Sequence, residues 1–373
     1  MVLGMATQQS NQPPPEGEQL AACFLPAAEL RHLTAHQPPV AGLSGSRVWL
    51  LVNKQSGPRY VLKQLPAAVP PAQIAWTHGL ACHLTAAGLK QVPLPLPPLA
   101  VAGDEQPASH FAVDAAGQYW QCLPYLAGEP IADPQPEDVL AAVTCLAELH
   151  QAAAGFRTAM PFTRQTGWRL RISQLGRLRR EGLARPPAGL AGPAGTPSGA
   201  WQRLLRVRGE AATCMAPVDF QNLATRLDCR GFPSVVQPVL RDCWWSHVLF
   251  DHTMQRRTVS GIIDLDAAGI DTPAVDLARL LGSWQLEAAD PSPLLAARWP
   301  QAVERYREIC QPAGDFPADI QVLHDTAVIC GLDRWCHWLF SECRVFPDLD
   351  RVTARMEALL RALPAAIDRL QRL

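Results

Sequence analysis

Two aspartates on either side of a short apolar hairpin constrain this 373-residue chain more than any other feature. Asp242 stands five residues before His247, and the apolar run Val248-Leu249-Phe250 follows at once. A second apolar run, residues 259–263, ends on Asp264. Two such runs joined by a turn predict an antiparallel hairpin, so we expect Asp264 to return to the loop that holds Asp242. Either aspartate alone is most often a turn or capping residue, but the pair at this spacing predicts a cleft with two carboxylates.

Two facing carboxylates suit one kind of chemistry particularly well. A phosphoryl-transfer enzyme uses one carboxylate to orient the acceptor hydroxyl and another to hold the metal ion of the nucleotide.

The stretch resembles the catalytic segment of the aminoglycoside phosphotransferase and choline kinase-like family, a branch of the protein-kinase-like fold. That family's pattern reads H-G-D-x-x-x-x-N-x-L-F, a hairpin, and then I-D-F/W-x-x-A-x-x-x-D-P-x-x-D-L-A. The matching residues are Leu240-Arg241-Asp242, His247-Val248-Leu249-Phe250 and the run from Ile263-Asp264 through Asp276-Leu277-Ala278. Further resemblance lies upstream, in Tyr60-Val61-Leu62-Lys63, a shortened loop at 42–47 and a hinge at Tyr125-Leu126-Ala127-Gly128-Glu129.

The resemblance implies an α+β fold with two lobes, a small β-rich N-terminal lobe and a larger, mostly helical C-terminal lobe. We expect a disordered tail over 1–18, the N-terminal lobe over 19–124 and the helical lobe over 125–373. The Gly-, Ala- and Pro-rich stretch 186–199 is predicted to be a flexible insertion.

Local patterns predict the individual elements. Strands are expected at 47–52, 60–65, 111–113 and 119–123. Helices are expected at 27–35, 71–88, 137–153, 275–287, 300–311, 320–340 and 350–363.

The resemblance also assigns roles to residues. Asp242 would orient the acceptor hydroxyl, Asp264 would bind Mg²⁺, and Lys63, one of only three lysines, would neutralise phosphate charge. Asp276 would support the catalytic loop by hydrogen bonding. The remaining candidates contact ATP or its metal: Ser44, Gly45 and Ser46 in the phosphate loop, Tyr125 and Leu126 at the hinge, and Asp266 beside Asp264.

Three departures from the family pattern bear on activity. His247 replaces the metal-binding Asn, and imidazole is a poorer ligand for Mg²⁺ than an amide oxygen; it either accepts Mn²⁺ or only hydrogen-bonds the catalytic loop. Leu240-Arg241 replaces the His-Gly pair before the aspartate. The helix that should pair a Glu with Lys63 has Thr77 or His78 at that position.

Two functions therefore remain open: a working ATP-dependent kinase that phosphorylates a small hydroxyl compound, and a pseudokinase that acts as a nucleotide-binding or protein-interaction scaffold. The acceptor is not specified. Trp244 and Trp245 would either wall its pocket or pack. Trp335 and Trp338, on a late helix where the family binds its acceptor, are more typical of core.

Composition excludes some partners. A formal net charge of −1 gives no electrostatic reason to expect a nucleic acid, and no apolar run is long enough for a membrane span. Eleven scattered cysteines without a C-x-x-C pair favour free thiols in a reducing cytoplasm.

Overall fold

A computed structural model describes residues 16–38, 46–66, 69–99, 110–159, 166–186, 198–231, 235–251, 257–287, 293–346 and 348–373. These residues form two compact units. Among the described residues, the first unit contains those within 16–38, 46–69 and 95–125, and the second contains those within 70–94 and 126–373.

The first unit is built on an antiparallel sheet. Its elements are helices α1 (Glu16–Ala21) and α2 (Ala27–Leu30) and strands β1 (Leu33–His36), β2 (Val48–Asn53), β3 (Gly57–Gln64), β4 (Ala112–Val113) and β5 (Tyr119–Pro124). The strand order is β1-β2-β3-β5-β4. Residues within the tight β2–β3 turn stabilise it. Asn53 Oδ1 accepts hydrogen bonds from the backbone N–H groups of Gln55 and Ser56, and Gly57 adopts a φ of +80°, which glycine tolerates.

The two predicted hairpins of this unit are confirmed, and two other expectations are wrong. Residues 16–18, expected in the disordered tail, belong to α1. The helix expected over 27–35 ends at Leu30, and residues 33–36 instead pair with β2 as an edge strand. Leu33 and Phe24 lie in the core cluster that covers one face of this sheet, so burial favours the strand there.

The second unit is mostly helical. Its helices are α3 (Pro71–Ala86), α4 (Pro136–Ala153), α5 (Gly167–Glu181), α6 (Ser198–Met215), α7 (Phe220–Arg230), α8 (Ala274–Glu287), α9 (Pro293–Cys310), α10 (Phe316–Cys336) and α11 (Leu349–Gln371). A π-helical turn, His337–Ser341, extends α10. Its strands form two two-stranded sheets: β6 (Gln237–Val239) with β9 (Gly269–Asp271), and β7 (Val248–Asp251) with β8 (Thr258–Ile262).

One apolar core joins these helices. α4 packs on α9, α10 packs on α8 and α11, and α5 packs on α7. The start of α4 is fixed by a capping box, in which Gln135 and Asp138 satisfy each other's backbone N–H groups, with Pro136 at the first helical position. The predicted helices at 137–153, 275–287, 320–340 and 350–363 all appear, each within a longer helix or with its π-turn, and the helix predicted over 300–311 appears in α9 but ends one residue earlier, at Cys310.

α3 is the exception to the expected lobe boundary. Residues 70–94 group with the helical unit, although they precede residue 124 in the chain. Trp76, Leu80 and Leu84 lie in the same core cluster as α4. Gly88, with a φ of +95°, follows the end of α3 as expected.

One further prediction concerns residues that lie mostly outside the described ones. Most of the expected insertion, 187–197, lies outside them, whereas Ser198 and Gly199 begin α6.

Among the described residues, none of the helices has both the length and the apolar character needed to span a bilayer.

Candidate functional site

The β7–β8 hairpin brings Asp264 to the loop of Asp242, as the sequence predicts. Val248 pairs with Ile262, and the Ile263 N–H donates to the His247 carbonyl at 2.9 Å. Asp264 is the next residue, and its Oδ2 lies 3.8 Å from His247 Nε2. The imidazole of His247 therefore stands between the two carboxylate-bearing segments.

Hydrogen bonding fixes the tautomer of His247. Its Nδ1 lies 2.8 Å from the carbonyl oxygen of Asp242, which can only accept, so Nδ1 carries the proton. In the neutral ring Nε2 then has a free lone pair, which faces the Asp264 carboxylate. This is the arrangement of metal-binding histidines, whose other ring nitrogen is held by a carbonyl or carboxylate.

The donor set fits a nucleotide-bound divalent cation better than a protein-only metal site. No group of three or more His, Cys, Asp or Glu side chains in the described residues is arranged to hold a metal, so Asp264, His247 and Asp266 do not form a closed cage. Mg²⁺ in kinases is held by one or two protein ligands together with phosphate oxygens and water. Asp264 and His247 could supply two such ligands, and Asp266 lies half-buried in the 3-10 turn Leu265–Ala267 that follows.

Backbone conformation is unusual at both carboxylate segments. Asp264 has φ 65° and ψ 64°, and Arg241, immediately before Asp242, has φ 64°. Non-glycine residues in this left-handed region are uncommon and persist only where surrounding contacts hold them. The contacts that do so are present at Arg241.

Asp276 holds the backbone of the catalytic loop. Its carboxylate is fully buried and accepts the N–H of Leu240 at 2.7 Å and the N–H of Arg241 at 2.6 Å. His150 on α4 approaches the same carboxylate with Nε2 at 3.0 Å, and the hydroxyl of Tyr306 on α9 lies 2.8 Å from His150 Nδ1. The expectation that Asp276 supports the loop is confirmed.

The side chain of Arg241 is fixed on the opposite side of the loop. Its guanidinium donates to the Ile270 carbonyl at 2.8 Å and lies 3.3 Å from the Asp271 carboxylate. Asp271 in turn accepts the N–H of Gly167 at the start of α5, so this arginine ties the loop to β9 and α5.

Asp242 is paired with an arginine that sequence reasoning missed. Arg279 donates Nε and Nη2 to Asp242 Oδ1, at 3.0 and 2.8 Å. Burial acts to raise the pKa of Asp242, but Arg279, His247 and Arg334 outweigh it and hold that pKa below its ordinary value. The side chain is nonetheless 40% exposed, so solvent reaches this carboxylate.

Arg279 follows Asp276 by three residues, one turn further along α8. That spacing is visible in the sequence and places both side chains near one side of the helix. Its contact with Asp242, 37 residues away, depends on how α8 packs against the loop.

The predicted nucleotide-binding residues belong to other segments. Lys63 lies half-buried on β3, opposite Val48 and Gln121, and Ser46 precedes β2. Ser44 and Gly45 lie outside the described residues. At the hinge, the Tyr125 N–H donates to the Arg59 carbonyl at 2.9 Å, which leaves it engaged within the sheet, and Leu126 packs against Gly261 of β8.

α3 carries no carboxylate. Thr77 and His78 are both buried on this helix, and so is Gln73. Within the described residues the Thr77 hydroxyl and the Gln73 amide nitrogen have no hydrogen-bond partner. α3 contacts the 3-10 turn that follows Asp264, so the helix that bears these buried polar groups packs beside the candidate metal ligand.

Solved structures share this fold at low sequence identity. A microcompartment-associated aminopropanol kinase superposes with a TM-score of 0.59 at 14% identity, over 95% of this chain and 98% of the other. Amicoumacin kinase hAmiN, solved with AMP-PNP, Ca²⁺ and its antibiotic, gives 0.56 at 15% identity over 93% and 92%. An aminoglycoside phosphotransferase from Alicyclobacillus acidocaldarius gives 0.53 at 14% identity over 98% and 99%.

These neighbours establish a protein-kinase-like fold, with a small antiparallel sheet and a mostly helical remainder. No curated protein sequence matches the chain significantly. The family model described as "Phosphotransferase enzyme family" matches residues 36–312, which include the β2–β3 hairpin, the Asp242 loop and Asp264. The chain therefore belongs to the phosphotransferase enzyme family of small-molecule kinases.

Proposed function

We propose that this protein is an active, ATP-dependent phosphotransferase that transfers the γ-phosphoryl group to a hydroxyl of a small molecule. The observation that carries the proposal is the junction at His247, where one imidazole contacts the Asp242 backbone and faces the Asp264 carboxylate. A scaffold without catalysis has no need for two residues in the left-handed conformation, Arg241 and Asp264, that bring two carboxylates to one imidazole.

Asp242 is assigned to orienting the acceptor hydroxyl. Because Arg279 and His247 lower its pKa, it is ionised at neutral pH and accepts a hydrogen bond from that hydroxyl. A carboxylate of low pKa is a weak base. This suits phosphoryl transfer through a loose transition state, in which positioning matters more than early proton removal.

Asp264 and His247 are assigned to holding the nucleotide's divalent cation, which would neutralise phosphate charge when bound. Lys63 is assigned to the phosphates, and the hinge at Tyr125 and Leu126 to the base. A nitrogen ligand favours Mn²⁺ relative to Mg²⁺. Pulsed EPR of the protein with Mn²⁺ and ATP should therefore show a nitrogen coupling that His247→Asn removes. An unchanged spectrum in the variant would mean that His247 does not bind the metal and only hydrogen-bonds the loop.

The function is tested by ADP release with a panel of small hydroxyl and amino-alcohol acceptors, in Mg²⁺ and in Mn²⁺. Asp242→Asn should lower turnover at least about 100-fold, a typical contribution of a positioned acid–base group, while ATP-induced thermal stabilisation persists. If ATP binds but no acceptor stimulates ADP release in either metal, the pseudokinase alternative is favoured.

We also propose a cytoplasmic location. All eleven cysteines lie in the described residues and all are free thiols, five of them buried. That usage favours a reducing compartment.

A further inference from the structure

One side of α8 carries four polar side chains in a row: Asp276, Arg279, Ser283 and Glu287. Their spacings of three and four residues place them near one line along the helix. The first two contact the catalytic loop, since Asp276 accepts the backbone N–H groups just before Asp242 and Arg279 donates to its carboxylate. Ser283 and Glu287 extend the row by about two further turns.

Ser283 fixes the loop on the far side of Asp242. Its buried hydroxyl accepts the N–H of Trp245 at 2.9 Å and donates to the Leu280 carbonyl at 2.6 Å. Backbone hydrogen bonds therefore hold the loop to α8 both before and after Asp242, and the orientation of the carboxylate itself is left to side-chain contacts.

Glu287 acts on the loop through two further residues. Its carboxylate accepts a hydrogen bond from Arg355 on α11 at 2.8 Å, and the Arg355 side chain is only 11% exposed. The Arg355 guanidinium lies over the ring of Trp244, with Cζ 3.5 Å from the ring centroid, and that of Arg279 lies over the same ring at 4.8 Å. A planar guanidinium stacks well on an indole, so Trp244 joins Arg355 to the arginine that holds Asp242.

The contact between Arg279 and Asp242 uses one carboxylate oxygen and leaves the other. Nε and Nη2 of Arg279 both donate to Oδ1, at 3.0 and 2.8 Å, and no described residue donates a hydrogen bond to Oδ2. An arginine that bridged both oxygens would compete with an acceptor hydroxyl for each of them. Here Arg279 fixes the carboxylate by one oxygen, while Oδ2 can accept a hydrogen bond from a ligand.

We propose that Arg279, Trp244 and Arg355 act as one positioning unit for the catalytic carboxylate, which they orient so that its Oδ2 receives the acceptor hydroxyl. Trp244 then serves this unit and does not form a wall of the acceptor pocket. Two arginines lie over its ring, and the ring also packs against the apolar core of the helical unit. This assignment rests on the proposed function, and Glu287 supports it by holding Arg355.

The first test separates turnover from acceptor binding in the ADP-release assay. Trp244→Leu and Arg355→Gln should each lower kcat about 2- to 30-fold, the range of one cation–π contact, and leave the KM for the acceptor unchanged. Trp244→Tyr keeps an aromatic face and should retain most of the activity, whereas Arg355→Lys lacks the planar group and should retain less.

The control is Arg203→Gln, which breaks an exposed pair with Asp350 on α11 and should change neither constant. An unchanged kcat with a raised acceptor KM in Trp244→Leu would overturn the inference, because Trp244 would then bind the acceptor itself.

The second test needs neither ATP nor an acceptor. In ¹⁹F NMR of the full chain labelled with 5-fluorotryptophan, the Trp244 signal is the one that Trp244→Tyr removes. Arg355→Gln, Arg279→Gln and Asp242→Asn should each shift that signal, and Arg203→Gln should not. A Trp244 signal that Arg355→Gln or Asp242→Asn leaves in place would overturn the inference. An inactive protein that shows all three shifts would support the unit and count against the proposed function.

Discussion

Replacement of Asp276 by Asn removes one charge from the core while keeping the shape of the side chain. The wild-type carboxylate is fully buried and accepts two backbone N–H groups, from Leu240 and Arg241, at 2.7 and 2.6 Å, and contacts His150 Nε2 at 3.0 Å. The two N–H groups use different oxygens. An amide offers only one oxygen, so its NH₂ group must face a donor.

A hydrogen bond to a charged group contributes about 1.5–3 kcal/mol, and a buried donor left without a partner costs about 1–3 kcal/mol. One bond is lost outright and the others lose their charge assistance, so we expect Asp276→Asn to lower the free energy of unfolding by about 3–5 kcal/mol. Because these bonds hold Arg241 in its left-handed conformation, turnover should fall with stability even where the protein remains folded.

Urea unfolding followed by tryptophan fluorescence measures the loss. The matched control is Asp368→Asn, which breaks an exposed pair with Arg372 and should cost less than about 1 kcal/mol. If Asp276→Asn destabilises no more than Asp368→Asn, the carboxylate does not hold the catalytic loop.

Two further predictions concern α8 and α10. Gly282→Ala should destabilise the protein by about 1–3 kcal/mol, because a Cβ there collides with His324 Nδ1 and lies 2.7 Å from its Cε1. The control is Gly209→Ala, in open space on α6, which should be neutral or stabilise by up to about 1 kcal/mol. Equal effects of the two variants on the free energy of unfolding in urea would refute the contact. Burial lowers the pKa of His324 from 6.5 to about 4, with Arg369 and Arg171 adding to that shift and Asp325 opposing it. The unfolded chain therefore binds the proton first, and stability should fall by about 3 kcal/mol from this group as pH drops from about 6.5 to about 4. His324→Gln should flatten that part of the stability–pH curve, and an unchanged slope would contradict a neutral buried ring.

Local patterns predicted most of the elements that carry the site. The β7–β8 hairpin follows from two apolar runs around a turn, and α4 follows from helical spacing after Pro136. The junction of Asp242, His247 and Asp264 was predictable for the same reason, since a hairpin brings its two ends together whatever surrounds it.

Contacts between distant helices were not predictable in this way. The arginine-rich α5 had the composition of a solvated face, yet Trp168, Leu175 and Leu178 bury one side of it and carry Arg171 into the interior. The pairing of Arg279 with Asp242 depends on helix packing, which no local period encodes. The placement of α3 depends on which core its apolar face joins.

Calorimetric titration of ATP in Mg²⁺, in Mn²⁺ and in excess chelator tests the central claim most directly. The account predicts metal-dependent binding by the wild type, its loss in Asp264→Asn and its retention in Asp242→Asn, because Asp264 is the one of these two carboxylates that is assigned to the cation. Binding that is indifferent to metal, or equally strong in Asp264→Asn, would contradict the assignment of the two carboxylates on which the proposed phosphotransferase rests.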